Sequence, residues 1–204
     1  AINGAKAAEE SVIRGESLGP LHGIPISIKD LEMSKGVVTT NGSLAYKDMI
    51  PDEDSVVVER LRRSGAIILG KTNTPEFGML GATENRLGDH CRNPWDTRRT
   101  AGGSSGGSAA AVSAGLCSLA TGSDGGGSVR IPASFCGIYG IKPTQGRIPR
   151  YSGTTATPVG NYTGQPGPLS RTVQDSALLL QVLSGPDSKD PTAIREAPPD
   201  FLRA

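Results

Sequence analysis

Three short stretches of the 204-residue sequence set a reactive side chain beside backbone that is costly to specify. In Asp124-Gly125-Gly126-Gly127-Ser128-Val129-Arg130, three consecutive glycines precede a serine. Each glycine costs roughly 1 kcal/mol relative to alanine in ordered structure, and a chain tends to carry that cost where N–H groups must converge on one point. Acyl transfer needs such a place, with a hydroxyl nucleophile beside backbone donors aimed at a developing oxyanion. Arg130, two residues beyond the serine, reads as an ion-pair partner ahead of a substrate clamp. In Gly102-Gly103-Ser104-Ser105-Gly106-Gly107-Ser108, flanking glycines allow close backbone approach, and the serine hydroxyls stand at the start of a helix, where exposed N–H groups favour negative charge. Capping by Ser104 or Ser105 is the plainer alternative. The third place is Lys29. A lysine at a strand end ordinarily points to water; drawn into an apolar site beside Ile28 and Leu31, it would lose its charge more easily and could act as a base.

A serine nucleophile needs a base. Only two histidines occur: His22 precedes Gly23 and reads as a loop or packing residue, and His90 lies in a polar stretch beside Cys91. No G-x-S-x-G elbow surrounds Ser128, so a lysine base is the economical reading. The Gly-Ser stretch lacks the Lys-Ser/Thr that closes a phosphate-binding loop, and no dinucleotide pattern occurs. Cys91, Cys117 and Cys136 match no zinc-ligand spacing and read as small buried apolar groups in a reducing, cytoplasmic setting. Neither a metal nor another cofactor is expected. The formal net charge of +1 argues against nucleic acid and anionic membrane surfaces as partners, and no run of apolar residues suits a membrane span.

These groups need elements to hold them. The 28 glycines and 15 prolines point to many tight backbone passages. Residues Ala1 to Gly15 read as the remains of a helix. The period-two alternation Ile24-Pro25-Ile26-Ser27-Ile28 reads as a strand ending at Lys29-Asp30, and Thr39 to Tyr46 as a loop. A helix is expected beside Asp52, with Glu53 and Asp54 in its first turn, Val56, Val57, Val58 and Leu61 buried, and Gly65 as its stop. Ala66 to Leu69 reads as a buried strand, and Thr83 to Thr100 as irregular. A helix over Ala109 to Ala114 follows the Gly-Ser stretch. Cys117 to Thr121 is then a short buried strand before the triple-glycine turn. A basic, Pro-rich loop, KPTQGRIPR, falls in the segment from Gly140 to Gly167. A last helix runs from about Thr172 to Leu183, buried through Val173, Ala177, Leu180 and Leu183, and the tail beyond Asp187 is polar. Helix, glycine, strand in repeated order is the arithmetic of an α/β fold.

Most of the chain resembles the amidase signature family of serine hydrolases. The resemblance is carried in order by LHGIPISIKD, GAIILGKTNTPEFG, AGGSSGGSAAAVSAG, GSDGGGSVRIPASFCGIYGIKPTQGR and GPLSRTVQDSALLL. It implies a Ser-cisSer-Lys triad: Ser128 as nucleophile, Ser104 as the bridging serine in a cis peptide, and Lys29 as base. It places Gly125, Gly126, Gly127 and the Ser128 amide in the oxyanion hole, with Ser105, Asp124 and Arg130 in support. The implied fold is a large mixed β-sheet with helices on both faces. Residues 1–204 would form the triad-bearing N-terminal part of a single domain whose distal half is absent. The implied reaction is hydrolysis of a small-molecule amide through an acyl-enzyme, and a homodimer is an assembly it allows. The family also includes the glutaminase subunit of the tRNA-dependent amidotransferase, in which the segment after the nucleophile usually reads RQPA. Here Arg130 to Ala133 reads RIPA, nearer the stand-alone amidases. An inactive or incomplete relative and an esterase are the remaining alternatives.

Overall fold

The computed structural model describes residues 1–151 and 163–203. Its organising element is a five-stranded mixed sheet in the order β2-β1-β5-β7-β6. Strands β1 (Pro25–Lys29), β2 (Ile67–Thr72) and β5 (Leu119–Asp124) are parallel, whereas β7 (Gln165–Ser170) runs antiparallel to β5 and to β6 (Tyr139–Gly140). A separate antiparallel hairpin joins β3 (Arg92–Asn93) to β4 (Asp96–Thr100) in the stretch expected to be irregular. Trp95, at the turn, donates from Nε1 to the Cys136 carbonyl at 2.8 Å, so the hairpin leans on the C-terminal end of the helix Arg130–Cys136.

Helices cover both faces. Side chains alternate sides along a strand, and Ile26, Ile28 and Leu119 pack with Val57, Val58 and Leu61 of α2 (Val56–Arg63) and Leu179, Leu180 and Leu183 of α5 (Val173–Leu183). Ala120, one residue on from Leu119, joins the other core. There it meets Ala109 and Val112 of α3 (Gly106–Ser113), Ala133 and Cys136 of α4 (Arg130–Cys136), Val129 and Leu169. Helix α1 (Ile2–Ile13) lies at the periphery with no buried residue.

The differences from expectation have local causes. Helix α2 starts one residue after Ser55, whose hydroxyl accepts from the Val58 N–H, so Glu53 and Asp54 precede the helix instead of occupying its first turn. Strand β2 continues to Thr72 and is an edge strand, half-buried, with Leu69 exposed. Strand β5 extends to Asp124 because β7 pairs with it over its whole length. Helix α4 follows the glycine turn although Pro132 lies inside it; Pro132 is in the first helical turn, where a backbone donor has no intrahelical acceptor. The buried face of α5 is Ser176, Leu179, Leu180 and Leu183, and Val173 is exposed. The expected loop from Gly140 to Gly167 falls in part on residues 152–162, outside the described residues. Its portion KPTQGRIPR is tied down by Gln165, which accepts from the Gly146 N–H at 2.8 Å and donates to the Ile148 carbonyl at 2.6 Å.

Helix α3 approaches the strand ends so closely that Gly107 has no room for a side chain: a Cβ there would collide with the Asn73 backbone nitrogen and lie 2.5 Å from the Asn73 carbonyl oxygen. Gly107→Ala should therefore destabilise the fold by about 1–3 kcal/mol, against the ~1 kcal/mol that helix propensity alone would gain. Urea unfolding checks this, and an unchanged or raised midpoint would refute the contact.

Candidate active site

The carboxyl ends of β1 and β5 meet the first turn of α3 around one buried amine. Lys29 is fully buried, and its Nζ lies 2.8 Å from Ser104 Oγ, 3.0 Å from Ser123 Oγ and 3.5 Å from the Ser123 carbonyl. Its backbone N–H donates to Thr121 Oγ1 at 3.0 Å, which fixes the end of β1 against β5. Among the described residues the amine forms no ion pair. Burial pushes it down to about 7, against the opposing pull of Glu32 and Asp124. The solvent-facing alternative for this lysine is thus not the one the fold adopts.

Ser104 follows a cis Gly103-Ser104 peptide bond and is buried. Neither Ser104 nor Ser105 caps α3 in the way the plainer sequence reading allowed. The Gly106 N–H is satisfied by Thr83 Oγ1 at 3.1 Å and the Gly107 N–H by the Asn73 carbonyl at 3.2 Å. Ser105 instead ties the helix start to β5: its hydroxyl donates to the Ser123 carbonyl (3.3 Å) and accepts from the Ser123 N–H (3.2 Å). Its N–H donates to the Ser128 carbonyl at 3.1 Å. Ser108 extends the same seam, donating to the Thr121 carbonyl at 2.7 Å and meeting Thr72 Oγ1 at 2.6 Å.

The glycine turn is organised by one carboxylate. Asp124 is fully buried and accepts from the N–H groups of Gly127 (2.7 Å), Val129 (3.2 Å) and Arg130 (3.3 Å), and from the Arg130 guanidinium through two 2.9 Å bonds. Burial alone would raise its pKa, but Arg130 and the three N–H groups overturn that and hold it well below the usual carboxylate range. Arg130 is accordingly an ion-pair partner. Gly127 adopts φ +115°, open to glycine, which lets its N–H turn back to Asp124. Among the described residues the N–H groups of Gly125, Gly126 and Ser128 donate to no protein acceptor.

Ser104, Asp124, Gly125, Gly126 and Ser128 line one open cavity of about 500 Å³, and Lys29 lies behind Ser104. The other walls include Leu31, Phe77, Met79, Leu80 and Ile131, with Glu32 and Arg150 on the polar side. Ser123, Thr121, Thr83 and Glu32 were not singled out from sequence. The position of Ser123 beside Asp124 at a strand end was the available signal for it. His22 and His90 stay apart from this cluster: His22 Nε2 lies 3.0 Å from the Ala8 carbonyl, and His90 is exposed. Cys117 and Cys136 are buried and Cys91 is half-buried.

Two outcomes follow from these burials. A lysine whose amine is pushed down binds fewer protons folded than unfolded between about pH 7 and its ordinary value near 10.5. Its burden on the fold is full below that window and vanishes above it. The stability advantage of Lys29→Met over the parent should shrink steadily as pH rises through the window; a constant difference by urea unfolding would show that the amine titrates normally. Asp124→Asn should cost several times more stability than Arg130→Gln, since the carboxylate is buried and the guanidinium is largely in water. Equal losses would contradict the organising role of the carboxylate.

A family model described as Amidase matches residues 1–203. A glutamyl-tRNA(Gln) amidotransferase subunit from Trichodesmium erythraeum (strain IMS101) is 49% identical over 203 residues, spanning 100% of this chain and 41% of that protein. The protein of the same name from Carboxydothermus hydrogenoformans (strain ATCC BAA-161 / DSM 6008 / Z-2901) is 49% identical over 198 residues, 97% of this chain and 40% of that one. Among solved structures, a bacterial aryl acylamidase of the amidase signature enzymes superposes with a TM-score of 0.90 at 38% identity, covering 98% of this chain and 41% of that chain. A 6-aminohexanoate cyclic dimer hydrolase complexed with substrate gives 0.88 at 38% identity, covering 100% and 42%. The chain therefore spans roughly two fifths of the length of the relatives it matches. No helix among the described residues is long and apolar enough to cross a membrane. With its mixed sheet, its glycine-rich turns and a family match over nearly its whole length, the chain belongs to the amidase signature family.

Proposed function

We propose that the protein cleaves carboxylic amides by acyl transfer to Ser128, with Lys29 as base and Ser104 as the relay between them. The observation that carries this reading is the fully buried Lys29 amine, without an ion pair among the described residues, 2.8 Å from Ser104 Oγ and behind the cavity that Ser128 lines. A neutral amine offers two N–H donors and one lone pair. In that form Nζ donates to the Ser123 carbonyl and to one hydroxyl, and accepts from the other of the two hydroxyls within reach, Ser104 Oγ and Ser123 Oγ.

In the first step Ser128 Oγ attacks the amide carbon, its proton passes to Ser104 Oγ, and the Ser104 proton passes to Lys29. The carbonyl π pair moves onto oxygen, where the free N–H groups of Gly125, Gly126 and Ser128 are placed to receive it; one such donor is worth ~3 kcal/mol. Collapse re-forms the carbonyl and breaks the C–N bond as the relay returns a proton to the leaving nitrogen. Water, deprotonated through the same hydroxyls, then releases the acid. Gly127, whose N–H is committed to Asp124, shapes the turn and does not donate.

A second reading keeps the same chemistry and changes the acceptor. The relatives at 46% to 50% identity carry the name of an amidotransferase subunit, so glutamine as amide donor and ammonia delivery to a partner protein fit the site equally. Solved relatives near 38% identity are instead named for acylamidase and cyclic-dimer hydrolysis.

A fluorophosphonate probe should label Ser128 in the full protein, as located by peptide mass spectrometry. Ser128→Ala should lose labelling, and hydrolysis of both p-nitroacetanilide and glutamine should fall at least about 10³-fold. Wild-type turnover by Ser128→Ala would end the proposal. Glutamine cleavage that rises on adding partner subunits would select the second reading.

A further inference from the structure

The loop after Lys29 carries another ionisable group into the same cavity. Glu32 is 7% exposed, and its Oε2 accepts from Ser55 Oγ at 2.8 Å. Ser55 is fully buried and caps α2, so the carboxylate is pinned to that helix. The Glu32 N–H donates to the Lys29 carbonyl at 3.0 Å, which fixes the two residues relative to each other. Both Glu32 and Arg150 line the cavity with Ser104 and Ser128.

The charged groups around this point come from every neighbouring element. Strand β1 supplies Lys29, and the loop after it supplies Asp30. Strand β2 supplies Lys71, which donates to the Glu32 carbonyl, to Ser34 Oγ at 3.0 Å and to Thr39 Oγ1 at 3.2 Å, and lies 3.7 Å from Asp30. The chain after Gly146 supplies Arg150, and the end of β5 supplies Asp124. Two of the three carboxylates are committed elsewhere: Asp30 to Lys71 and Thr40, Asp124 to Arg130 and the glycine turn. Glu32 and Asp124 both act on Lys29, and of the two Glu32 is the one that no guanidinium is bonded to among the hydrogen bonds described above.

We propose that Glu32 is a positioning residue for the acyl-transfer site, its carboxylate acting through space as the counter-charge that sets when Lys29 gives up its proton. The proposal rests on Lys29 being the base. Among the groups acting on the Lys29 amine, Glu32 is the foremost that opposes the effect of burial. Burial raises the carboxyl's own pKa, while Ser55 and the cations Lys71, Lys29 and Arg150 favour its ionised form. Removing the negative charge leaves the desolvation of Lys29 less opposed, so the base becomes available at lower pH.

The test follows the bimolecular rate of Ser128 labelling by a fluorophosphonate probe across the pH range in the full protein. The parent should show an acidic limb with its midpoint at about 7. Glu32→Gln, which keeps the size and the Ser55 contact, should move that limb down by about one unit and raise the ratio of rates at about pH 6 to pH 9 about five-fold. Glu32→Asp, which keeps the charge, should restore the parent limb. Ser55→Ala, which weakens the ionised carboxylate, should move the limb in the same direction as Glu32→Gln and serves if that variant does not fold. A limb that stays in place in the folded variants, with labelling of Ser128 intact, overturns the role of Glu32 alone. Failure of the parent to label at any pH overturns the acyl-transfer reading instead.

Discussion

An amine held entirely out of water, with no direct ion-pair partner among the described residues, is the constraint from which the rest of this site is built. An isolated ammonium cannot be buried cheaply; the group lowers its proton affinity instead. Among the described residues Lys29 is hydrogen-bonded to Ser104 and Ser123, and each of those residues is fixed by backbone that leaves little freedom. Ser123 is stitched to Ser105 through both its N–H and its carbonyl. Ser104 sits between a glycine pair and the first turn of α3. The polar seam of Ser105, Ser108, Thr72 and Thr121 then fastens α3 to the strand ends, so the helix that carries no charge of its own is positioned by hydroxyls.

The glycine turn answers a different demand. Its N–H groups are useful to an oxyanion only if something other than the oxyanion holds them in place, since donors that must reorganise contribute less. Asp124 does this by taking the N–H groups of Gly127, Val129 and Arg130, which leaves those of Gly125, Gly126 and Ser128 free of protein acceptors among the described residues. The turn is therefore divided between residues that bind the carboxylate and residues that face the cavity. A carboxylate so heavily donated to remains ionised, and its charge also reaches Lys29.

The elements that were legible in sequence are those with one dominant local signal. The alternation through Ile28 located β1, and the valine cluster with Leu61 located the buried side of α2. Strand β7 was not legible because QPGPLS carries Pro166 and Pro168. Its structure explains why they are tolerated. Pro168 accepts from the Ile141 N–H on the β6 side, and an antiparallel residue directs its N–H and carbonyl to the same side. The two missing donors thus lie on the edge away from β5, beyond the two residues of β6, and the long ladder to β5 is intact. At the candidate site, Ser104 and Ser128 stood out in sequence through their glycine context, Lys29 through its place at the end of an apolar strand, and all three through the family resemblance. Ser123 and Glu32 were not, because their importance arises from contacts that close only when β5 and α2 pack against the end of β1.

The same distinction separates chemistry from selectivity. The groups around Lys29 and Asp124 are buried and multiply bonded, so substitutions among them disturb the fold along with the reaction. The apolar walls are different: Phe77, Met79 and Leu80 are all more than half exposed. Their segment is held by the 2.8 Å bond from the Phe77 N–H to the Asn41 carbonyl, by Ser43 Oγ donating to Glu76 Oε1 at 2.7 Å, and by the edge-on packing of Phe77 against Tyr46. That wall can therefore be replaced without touching a hydrogen bond of the seam. Relatives that share the fold carry names as different as glutamyl-tRNA(Gln) amidotransferase subunit, aryl acylamidase and 6-aminohexanoate cyclic dimer hydrolase. Under the proposed acyl-transfer reading, the choice between free hydrolysis and ammonia delivery is made beyond the buried amine, by the walls and by what covers them.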